Sequence, residues 1–118
     1  MQTAHKQWYF GKSLDGFTPI GPCIVTADAF ADYPPRLGIR SFVNGEKRQD
    51  SNTALQIFDI DHVIAELSQG MTMKAGTIIA TGTPAGVGMG MDPPQFLKPG
   101  DVVRCEIEGI GTLTNPVK

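Results

Sequence analysis

The sequence predicts a β-rich α+β domain with one main helix, and three observations lead to this fold class. The dipeptide Asn44-Gly45 separates two extended runs, a pattern typical of a two-residue hairpin because both turn residues need a positive φ. Helical periodicity is clear only at residues 60–69, which therefore form the one expected helix. The 14 glycines and 9 prolines among 118 residues indicate many turns between short strands. Residues 1–118 are expected to form a single domain.

The first third of the chain is expected to be mostly irregular. Residues 1–22 predict a loop, because glycine and proline are frequent around Lys12. Four aromatic side chains are expected to pack this loop against the rest of the domain: Trp8, Tyr9, Phe10 and Phe17. A short strand is expected at residues 24–26, and a turn region at residues 28–35, where paired prolines exclude a regular element.

The central hairpin is expected to pair residues 37–43 with residues 46–49. Alternation along the first strand gives two faces, with Leu37, Ile39, Ser41 and Val43 on one and Gly38, Arg40 and Phe42 on the other. The helix at 60–69 is expected to begin at Asp59, whose carboxylate can accept free backbone N–H groups, and to stop at Gly70. Its apolar face is expected to comprise Ile60, Ile64 and Leu67 with Val63 beside them, and His62 is expected at the surface.

The C-terminal part is expected to be a series of short strands and turns. An apolar strand at residues 77–80 leads into the glycine-rich segment at 81–90. The sequence Lys98-Pro99-Gly100-Asp101 predicts a β-turn, because proline fixes the first central φ and glycine accepts the second. An alternating strand at residues 102–107 and a last strand near residues 112–114 complete the domain.

Composition argues against several classes of function. The formal charge is −2, the isoelectric point is about 5.5 and no basic stripe is present, so nucleic acid is not an expected partner. Apolar runs are far shorter than a membrane span requires. The two cysteines, Cys23 and Cys105, are expected to be buried thiols in a reducing cytosol rather than a disulfide or a metal-binding pair. We therefore expect a cytoplasmic protein that makes no membrane contact.

The glycine-rich segment is the first candidate binding site. Neither the dinucleotide-binding pattern nor the P-loop pattern fits its spacing, and prolines rather than a helix follow it. The Thr83 hydroxyl and the nearby backbone N–H groups could hold a small carboxylate. The alternative is a purely structural turn.

Lys12 is the second candidate. In a loop rich in glycine, proline and aromatic residues, it could be a desolvated cation that pairs with a substrate anion or an enolate; the alternative is an ordinary exposed lysine. No metal-binding pattern such as H-x-x-x-H, C-x-x-C or E-x-E occurs, and helix capping explains Asp59 and Asp61 better than metal binding does. The sequence therefore predicts no metal site within this chain.

Four stretches carry a resemblance to a known family. They read QWYFGKSLDGFTPIGP at residues 7–22, VNGEKRQDSNTALQIF at 43–58, ATGTPAGVGMG at 80–90 and PPQFLKPGDVVRCEIEGIGTLTNPV at 93–117. In this order they resemble the C-terminal part of the catalytic domain of the fumarylacetoacetate hydrolase family. The likeness is to its bacterial-type 2-hydroxyhepta-2,4-diene-1,7-dioate and 5-carboxymethyl-2-hydroxymuconate isomerase branch.

The resemblance implies a fold, an activity and site residues. The family fold is a mixed β-sandwich roll, of which this chain would form part. Family members hydrolyse, decarboxylate or tautomerise 2-oxo acids and 1,3-dicarbonyl diacids, some of them in aromatic catabolism. Mg²⁺, or Mn²⁺ or Ca²⁺, stabilises the enolate there. By resemblance, Lys12 is the catalytic and substrate-binding lysine, and Gly82 with Thr83 holds the substrate carboxylate. A homodimer is also implied.

The chain departs from the family pattern upstream of Lys12. The family's metal ligands, a Glu-x-Glu pair and an Asp, and its general-base His all precede the lysine, and none is found here. Gly16 also stands where some members carry a hydroxyl. We therefore expect the isolated chain to be inactive without a partner chain that brings the missing half. The alternatives are a non-catalytic remnant that dimerises and a module that binds small carboxylates without turnover.

Overall fold

The strands of residues 8–118 form one antiparallel sheet in the order β2-β1-β3-β4. The computed structural model describes residues 8–118, except for the side chains of Tyr9 and Phe10. The strands are β1 Gly38–Val43, β2 Glu46–Asn52, β3 Val102–Ile107 and β4 Gly111–Pro116. The α-helices are α1 Trp8–Lys12 and α2 Ile60–Ser68, and 3-10 turns lie at Ala27–Ala29, Thr53–Leu55 and Gly88–Gly90. The predicted β-rich α+β class with one main helix is confirmed.

The hairpin between β1 and β2 has the predicted turn. Asn44 has a φ of 52° and Gly45 a φ of 84°, which are the positive values that a two-residue type I′ turn requires. Asn44 also ties the turn to β3: its Nδ2 donates to Asp101 Oδ1 at 2.8 Å, and its Oδ1 accepts from the Val102 N–H at 2.9 Å. The turn residue thus stabilises the adjacent strand pairing as well as the hairpin.

A β-bulge displaces the register of the hairpin. A regular two-residue hairpin that pairs Phe42 with Lys47 would next pair Ser41 with Arg48. Instead, Ser41 pairs with Gln49, and the shift falls between Ser41 and Phe42. Arg48 is therefore the extra residue, and Gln49 moves to the same face of the sheet as Ser41. Bulges commonly re-aim a side chain in this way.

The two faces of the sheet differ in polarity. One carries ion pairs between Arg40 and Asp50 at 3.2 Å and between Arg104 and Glu106 at 3.1 Å, and the Arg104 guanidinium lies 4.0 Å from the centroid of the Phe42 ring. The opposite face is mostly apolar. We call it the apolar face and define it by Ile39, Ser41, Val43, Val103, Cys105, Ile107 and Leu113. Along each strand these residues alternate with the residues of the polar face.

Helix α2 begins and ends close to the predicted residues. The Asp59 carboxylate accepts from the His62 N–H at 2.7 Å, which confirms the cap. The predicted apolar side of this helix is only partly correct, because Ile64 is 41% exposed. The half-buried side chains are Ile60, Val63 and Leu67. His62 is exposed, as predicted, and stacks on the Phe58 ring with centroids 4.8 Å apart.

Three local predictions are wrong. Within the predicted loop at 1–22, of which residues 1–7 and the side chains of Tyr9 and Phe10 lie outside the described part, Trp8–Lys12 is helical. Residues 24–26 and 77–80 are not strands. A strand needs a hydrogen-bonding neighbour, and neither segment joins the sheet. By contrast, the turn at residues 98–101 is confirmed by a 3.0 Å bond from the Asp101 N–H to the Lys98 carbonyl and by a φ of 95° at Gly100.

The described residues bury no hydrophobic side chain. Trp8 is 46% and Phe17 63% exposed, so the predicted packing of these aromatic residues is wrong. Cys23 and Cys105 are exposed free thiols rather than buried ones. The chain exposes 9424 Å², whereas a compact protein of its mass exposes about 6,200 Å². A large apolar surface is therefore open to a further structural element or partner.

Candidate functional site

Thr83 and Gly82 line a cleft beside the end of β2. The cleft has a volume of about 490 Å³. One wall consists of residues 81–84, and the other includes Ser51, Asn52 and Val63 of α2. Its rim is apolar, since Leu55, Ile57 and Phe58 are 73%, 92% and 60% exposed. Such a combination of polar groups with apolar side chains is typical of small-molecule sites.

Gln49 holds the loop that carries Thr83. Its side-chain Nε2 donates to Thr83 Oγ1 at 2.8 Å and to the Pro84 carbonyl oxygen at 3.0 Å. Its Oε1 accepts from Ser41 Oγ at 2.8 Å. Three side chains from β1, β2 and the glycine-rich segment thus form one continuous hydrogen-bonded chain.

Arg48 anchors the same loop further along. A Cβ added at Gly86, which has a φ of +102°, would overlap the carbonyl oxygen of Arg48, so only glycine permits this approach. The Arg48 guanidinium donates to Gln95 Oε1 at 2.6 Å, and the Gln95 N–H donates to the Gly88 carbonyl at 2.8 Å. Adjacent residues of β2 therefore fix the glycine-rich segment at several points.

Lys12 lies at the C-terminal end of α1 and is exposed. Its ammonium lies 5.5 Å from the centroid of the Trp8 ring, within the range of a cation–π contact. Lys12 is not among the residues that line the cleft. The structure therefore brings Gly82 and Thr83 together in one wall and places Lys12 beside Trp8.

The carboxylates with altered acidity serve the sheet and its turns. A hydrogen bond from Lys47 holds the pKa of Asp50 below its ordinary value of 3.8, and Arg40 adds to this effect. A hydrogen bond from Asn44, followed by one from the Lys98 N–H, likewise lowers the pKa of Asp101. Asp50 neighbours Gln49 in β2 and so faces the opposite side of the sheet.

The described residues do not fit a divalent cation by themselves. Across residues 8–118, no three His, Cys, Asp or Glu side chains cluster closely enough to hold a metal ion. A hard cation such as Mg²⁺ needs several oxygen ligands in place, and Asp50 and Asp101 are already engaged in structural contacts. No chemical step is therefore assigned to a metal held by these residues.

Gln49, Ser41 and Arg48 were missed as site residues by the sequence analysis. The hairpin was recognised from Asn44-Gly45, but a regular hairpin register places Gln49 opposite Arg40, on the polar face. Only the bulge brings Gln49 to the Ser41 side. The signal available in the sequence was the stretch around residues 43–58, which carries the family resemblance without indicating which side chain faces the cleft.

Comparison with known proteins gives a consistent family. The protein-family model described as "Fumarylacetoacetate (FAA) hydrolase C-terminal" matches residues 1–118. The mitochondrial oxaloacetate tautomerase fahd2 of Xenopus laevis is 49% identical over 99% of this chain and 36% of its own length. The oxaloacetate tautomerase YisK of Bacillus subtilis is 48% identical over 99% of this chain and 38% of its own length. The chain thus spans less than two-fifths of these relatives.

Solved structures agree in fold. Fumarylacetoacetate hydrolase from Exiguobacterium antarcticum matches with a TM-score of 0.90 and 54% identity, over 99% of this chain and 42% of its own. The 2-hydroxyhepta-2,4-diene-1,7-dioate isomerase of Mycobacterium marinum matches with a TM-score of 0.81 and 43% identity. The match covers 98% of this chain and 41% of the isomerase chain. Maleylpyruvate hydrolase from Sphingobium, in complex with manganese(II) and pyruvate, matches with a TM-score of 0.77 and 42% identity. The match covers 91% of this chain and 38% of the hydrolase chain.

The family match over the whole chain and the similarity to these solved structures confirm the resemblance seen in the sequence. They also show that the family includes isomerases, hydrolases and tautomerases, with a divalent metal in at least one member. The chain belongs to the fumarylacetoacetate hydrolase family.

Proposed function

We propose that this chain forms the carboxylate-binding part of a metal-dependent enzyme that acts on 2-oxo acids through an enolate. Gly82 and Thr83 bind the substrate carboxylate in this proposal. Lys12 binds the substrate and stabilises the negative charge that develops on it. The single observation that carries the proposal is the cleft wall at residues 81–84, in a chain of this family.

The chemistry of this wall suits a carboxylate. The Thr83 hydroxyl is an O–H donor, and the backbone N–H groups of the glycine-rich segment are further donors. Donors to a charged acceptor form shorter and stronger bonds than neutral pairs do. The apolar rim around Leu55, Ile57 and Phe58 suits the carbon skeleton of the same ligand.

The reaction we propose is keto–enol tautomerisation of a 2-oxo diacid such as oxaloacetate. The support is the printed activity of the two relatives that are 48% and 49% identical to the chain. Hydrolysis of a C–C bond in a related diacid, including hydroxymuconate-like compounds of aromatic catabolism, is the alternative within the family. It is supported by the maleylpyruvate hydrolase match.

The metal is proposed for the whole enzyme and not for these residues alone. Mg²⁺, Mn²⁺ or Ca²⁺ would polarise the oxo-acid oxygens when bound, and the manganese complex of maleylpyruvate hydrolase supports a divalent ion. The ligands would come from a partner chain or from sequence beyond residues 8–118. A cytoplasmic location and a homodimer remain predictions. Among the described helices, none has the length and apolar character of a membrane span.

A ligand titration tests the proposal. Pyruvate added to the ¹⁵N-labelled chain is expected to shift the amide resonances of Gly82 and Thr83 with a dissociation constant of about 1 mM, corresponding to about 4 kcal/mol. Acetone, which has the same ketone but no carboxylate, is the matched control and is expected to leave them unchanged. Lys12→Gln and Thr83→Val are each expected to weaken binding several-fold. Equal responses to pyruvate and acetone would contradict a carboxylate site.

A further inference from the structure

The hydrogen bonds of Gln49 have an unambiguous direction. The Pro84 carbonyl oxygen can only accept a hydrogen bond, so the side-chain atom of Gln49 that lies 3.0 Å from it must be the NH₂ group. This assignment places Oε1 of Gln49 towards Ser41, whose hydroxyl donates to it at 2.8 Å. The orientation of the amide, which is often ambiguous in protein structures, is fixed here by its neighbours.

The direction of these bonds determines the role of the Thr83 hydroxyl. An amide NH₂ group has two hydrogens; one is directed to the Pro84 carbonyl and the other to Thr83 Oγ1. Thr83 therefore accepts from Gln49, and its own O–H hydrogen is left to donate to another group. Within residues 8–118, no acceptor for this hydrogen is found. Thr83 is exposed and lines the cleft, so a ligand oxygen there can accept from it.

The bulge in the hairpin makes this arrangement possible. With Arg48 as the extra residue, Ser41 and Gln49 lie opposite each other on one face, and their side chains meet. In a regular hairpin, Gln49 would lie opposite Arg40 on the other face. The overlap that a Cβ at Gly86 would make with the Arg48 carbonyl shows that the loop is packed directly against the bulge.

We propose that Ser41 and Gln49 are positioning residues that fix Thr83 as a hydrogen-bond donor to the substrate carboxylate. This inference rests on the proposed function, because it assigns a purpose to the free O–H hydrogen of Thr83. Ser41 orients the Gln49 amide, Gln49 occupies a lone pair of Thr83 Oγ1, and the Thr83 O–H is thereby directed to a ligand. Neither Ser41 nor Gln49 needs to touch the ligand.

A double-mutant cycle separates positioning from a merely structural role. Gln49→Met keeps the length of the side chain and removes its donors and its acceptor. In the otherwise wild-type chain it is expected to weaken pyruvate binding about fivefold, and by no more than Thr83→Val does, because Gln49 acts through the Thr83 hydroxyl. In the Thr83→Val background it is expected to have no further effect, because the hydroxyl on which Gln49 acts is gone. Thr83→Ser, which retains the hydroxyl, is expected to restore the response to Gln49→Met.

Two further variants test the role of Ser41 and control for the loss of a glutamine amide. Ser41→Ala leaves Gln49 in place but frees its amide, so a smaller loss of about threefold is expected. Gln69→Met makes the same chemical change at an exposed glutamine that donates to Glu66 at 3.1 Å on α2, and it is expected to leave pyruvate binding unchanged. An equal loss from Gln49→Met in both Thr83 backgrounds, or no loss in either, would overturn the proposal.

A ligand-free measurement distinguishes failure of this inference from failure of the proposed function. The side-chain amide resonances of Gln49 are expected to shift on Thr83→Val, whether or not pyruvate binds. If they do not shift, the bond to Thr83 is absent and the positioning role is wrong, even where the wild-type chain binds pyruvate. If they shift but the wild-type chain does not bind pyruvate, the hydrogen bond between Gln49 and Thr83 exists but Thr83 does not bind a carboxylate. The role proposed for Thr83 as a donor to the substrate then fails.

Discussion

Gly86 is the residue at which the glycine-rich loop most directly requires the absence of a side chain. It combines a positive φ of +102° with an approach to the Arg48 carbonyl that a Cβ would block. We expect Gly86→Ala to lower the free energy of unfolding by about 3 kcal/mol, from backbone strain and overlap together. The urea midpoint of the variant measures this loss.

Two other glycines separate these contributions. Gly76 has a φ of +85° with open space around it, so Gly76→Ala tests backbone strain alone, at about 1 kcal/mol. At Gly88 a Cβ would overlap the Gln95 carbonyl without a positive φ, so Gly88→Ala tests overlap alone. If Gly86→Ala proves no more harmful than Gly76→Ala, the close contact between the loop and β2 is wrong.

At this scale, sequence predicts residues whose role is local. The predicted roles of Asn44 and Gly45 in the turn and of Asp59 as the helix cap depend only on nearby residues, and the structure confirms all three roles. Gln49 acts across the sheet, and its direction depends on a bulge that no hydrophobic pattern marks. The predicted burial of Cys105 is wrong, because nothing among the described residues covers this position of the apolar face.

The contact between the hairpin turn and β3 predicts a pH dependence of stability. Asn44 lowers the pKa of Asp101 below its ordinary 3.8, so the ionised carboxyl favours the folded state. This contribution is complete above about pH 5 and is lost as the pH falls through the lower folded-state pKa. Asn44→Gly keeps the positive φ but removes the hydrogen bond. We expect its urea midpoint to fall less steeply than that of the wild type between about pH 5 and pH 3; parallel curves would contradict the coupling.

The cap of helix α2 gives a second prediction for an element. Asp59 accepts the His62 N–H at 2.7 Å, so Asp59→Ala is expected to lower the free energy of unfolding by about 1 kcal/mol. Asp61→Ala, which removes a charge from the first turn without removing the cap, is expected to cost less. Chemical denaturation of both variants compares them, and equal losses would mean that charge rather than capping matters at this helix end.

Elements defined by local pattern were predicted well, and elements defined by a distant partner were not. The hairpin, α2, β3 and β4 each carry their own alternation, period or turn signal. Residues 24–26 and 77–80 have strand-like composition, but no neighbouring strand among residues 8–118 accepts their hydrogen bonds. The extension of β2 to Asn52, three residues beyond the prediction, likewise reflects pairing with Gly38.

For the molecule as a whole, the partly exposed apolar face of the sheet predicts self-association. The chain exposes 9424 Å² in total, and Ile107 of this face is among its exposed large hydrophobic side chains. Exposed apolar patches are typical of interaction sites. We expect a homodimer in sedimentation experiments at micromolar concentration. Ile107→Lys, on the apolar face and 39% exposed, is expected to shift the chain towards monomer.

Thr114→Lys is the matched control for this association. Thr114 lies opposite Arg104 in the register and therefore on the polar face, so a lysine there leaves the apolar face intact. If both variants associate like the wild type, or if the wild type is already monomeric, the apolar face is not the interface.

Lys12 and the Gly82–Thr83 loop are proposed to hold a carboxylate, whereas residues 8–118 do not cluster into a metal site. A thermal melt with oxalate, with Mg²⁺ and with both tests this claim most directly, since oxalate mimics the enolate of a 2-oxo acid. At ten times its dissociation constant, oxalate is expected to stabilise the chain by about 1.4 kcal/mol, a rise of a few degrees. Mg²⁺ is expected to add nothing to this rise. A rise that appears only when Mg²⁺ and oxalate are both present, or no rise with oxalate at all, would contradict the claim.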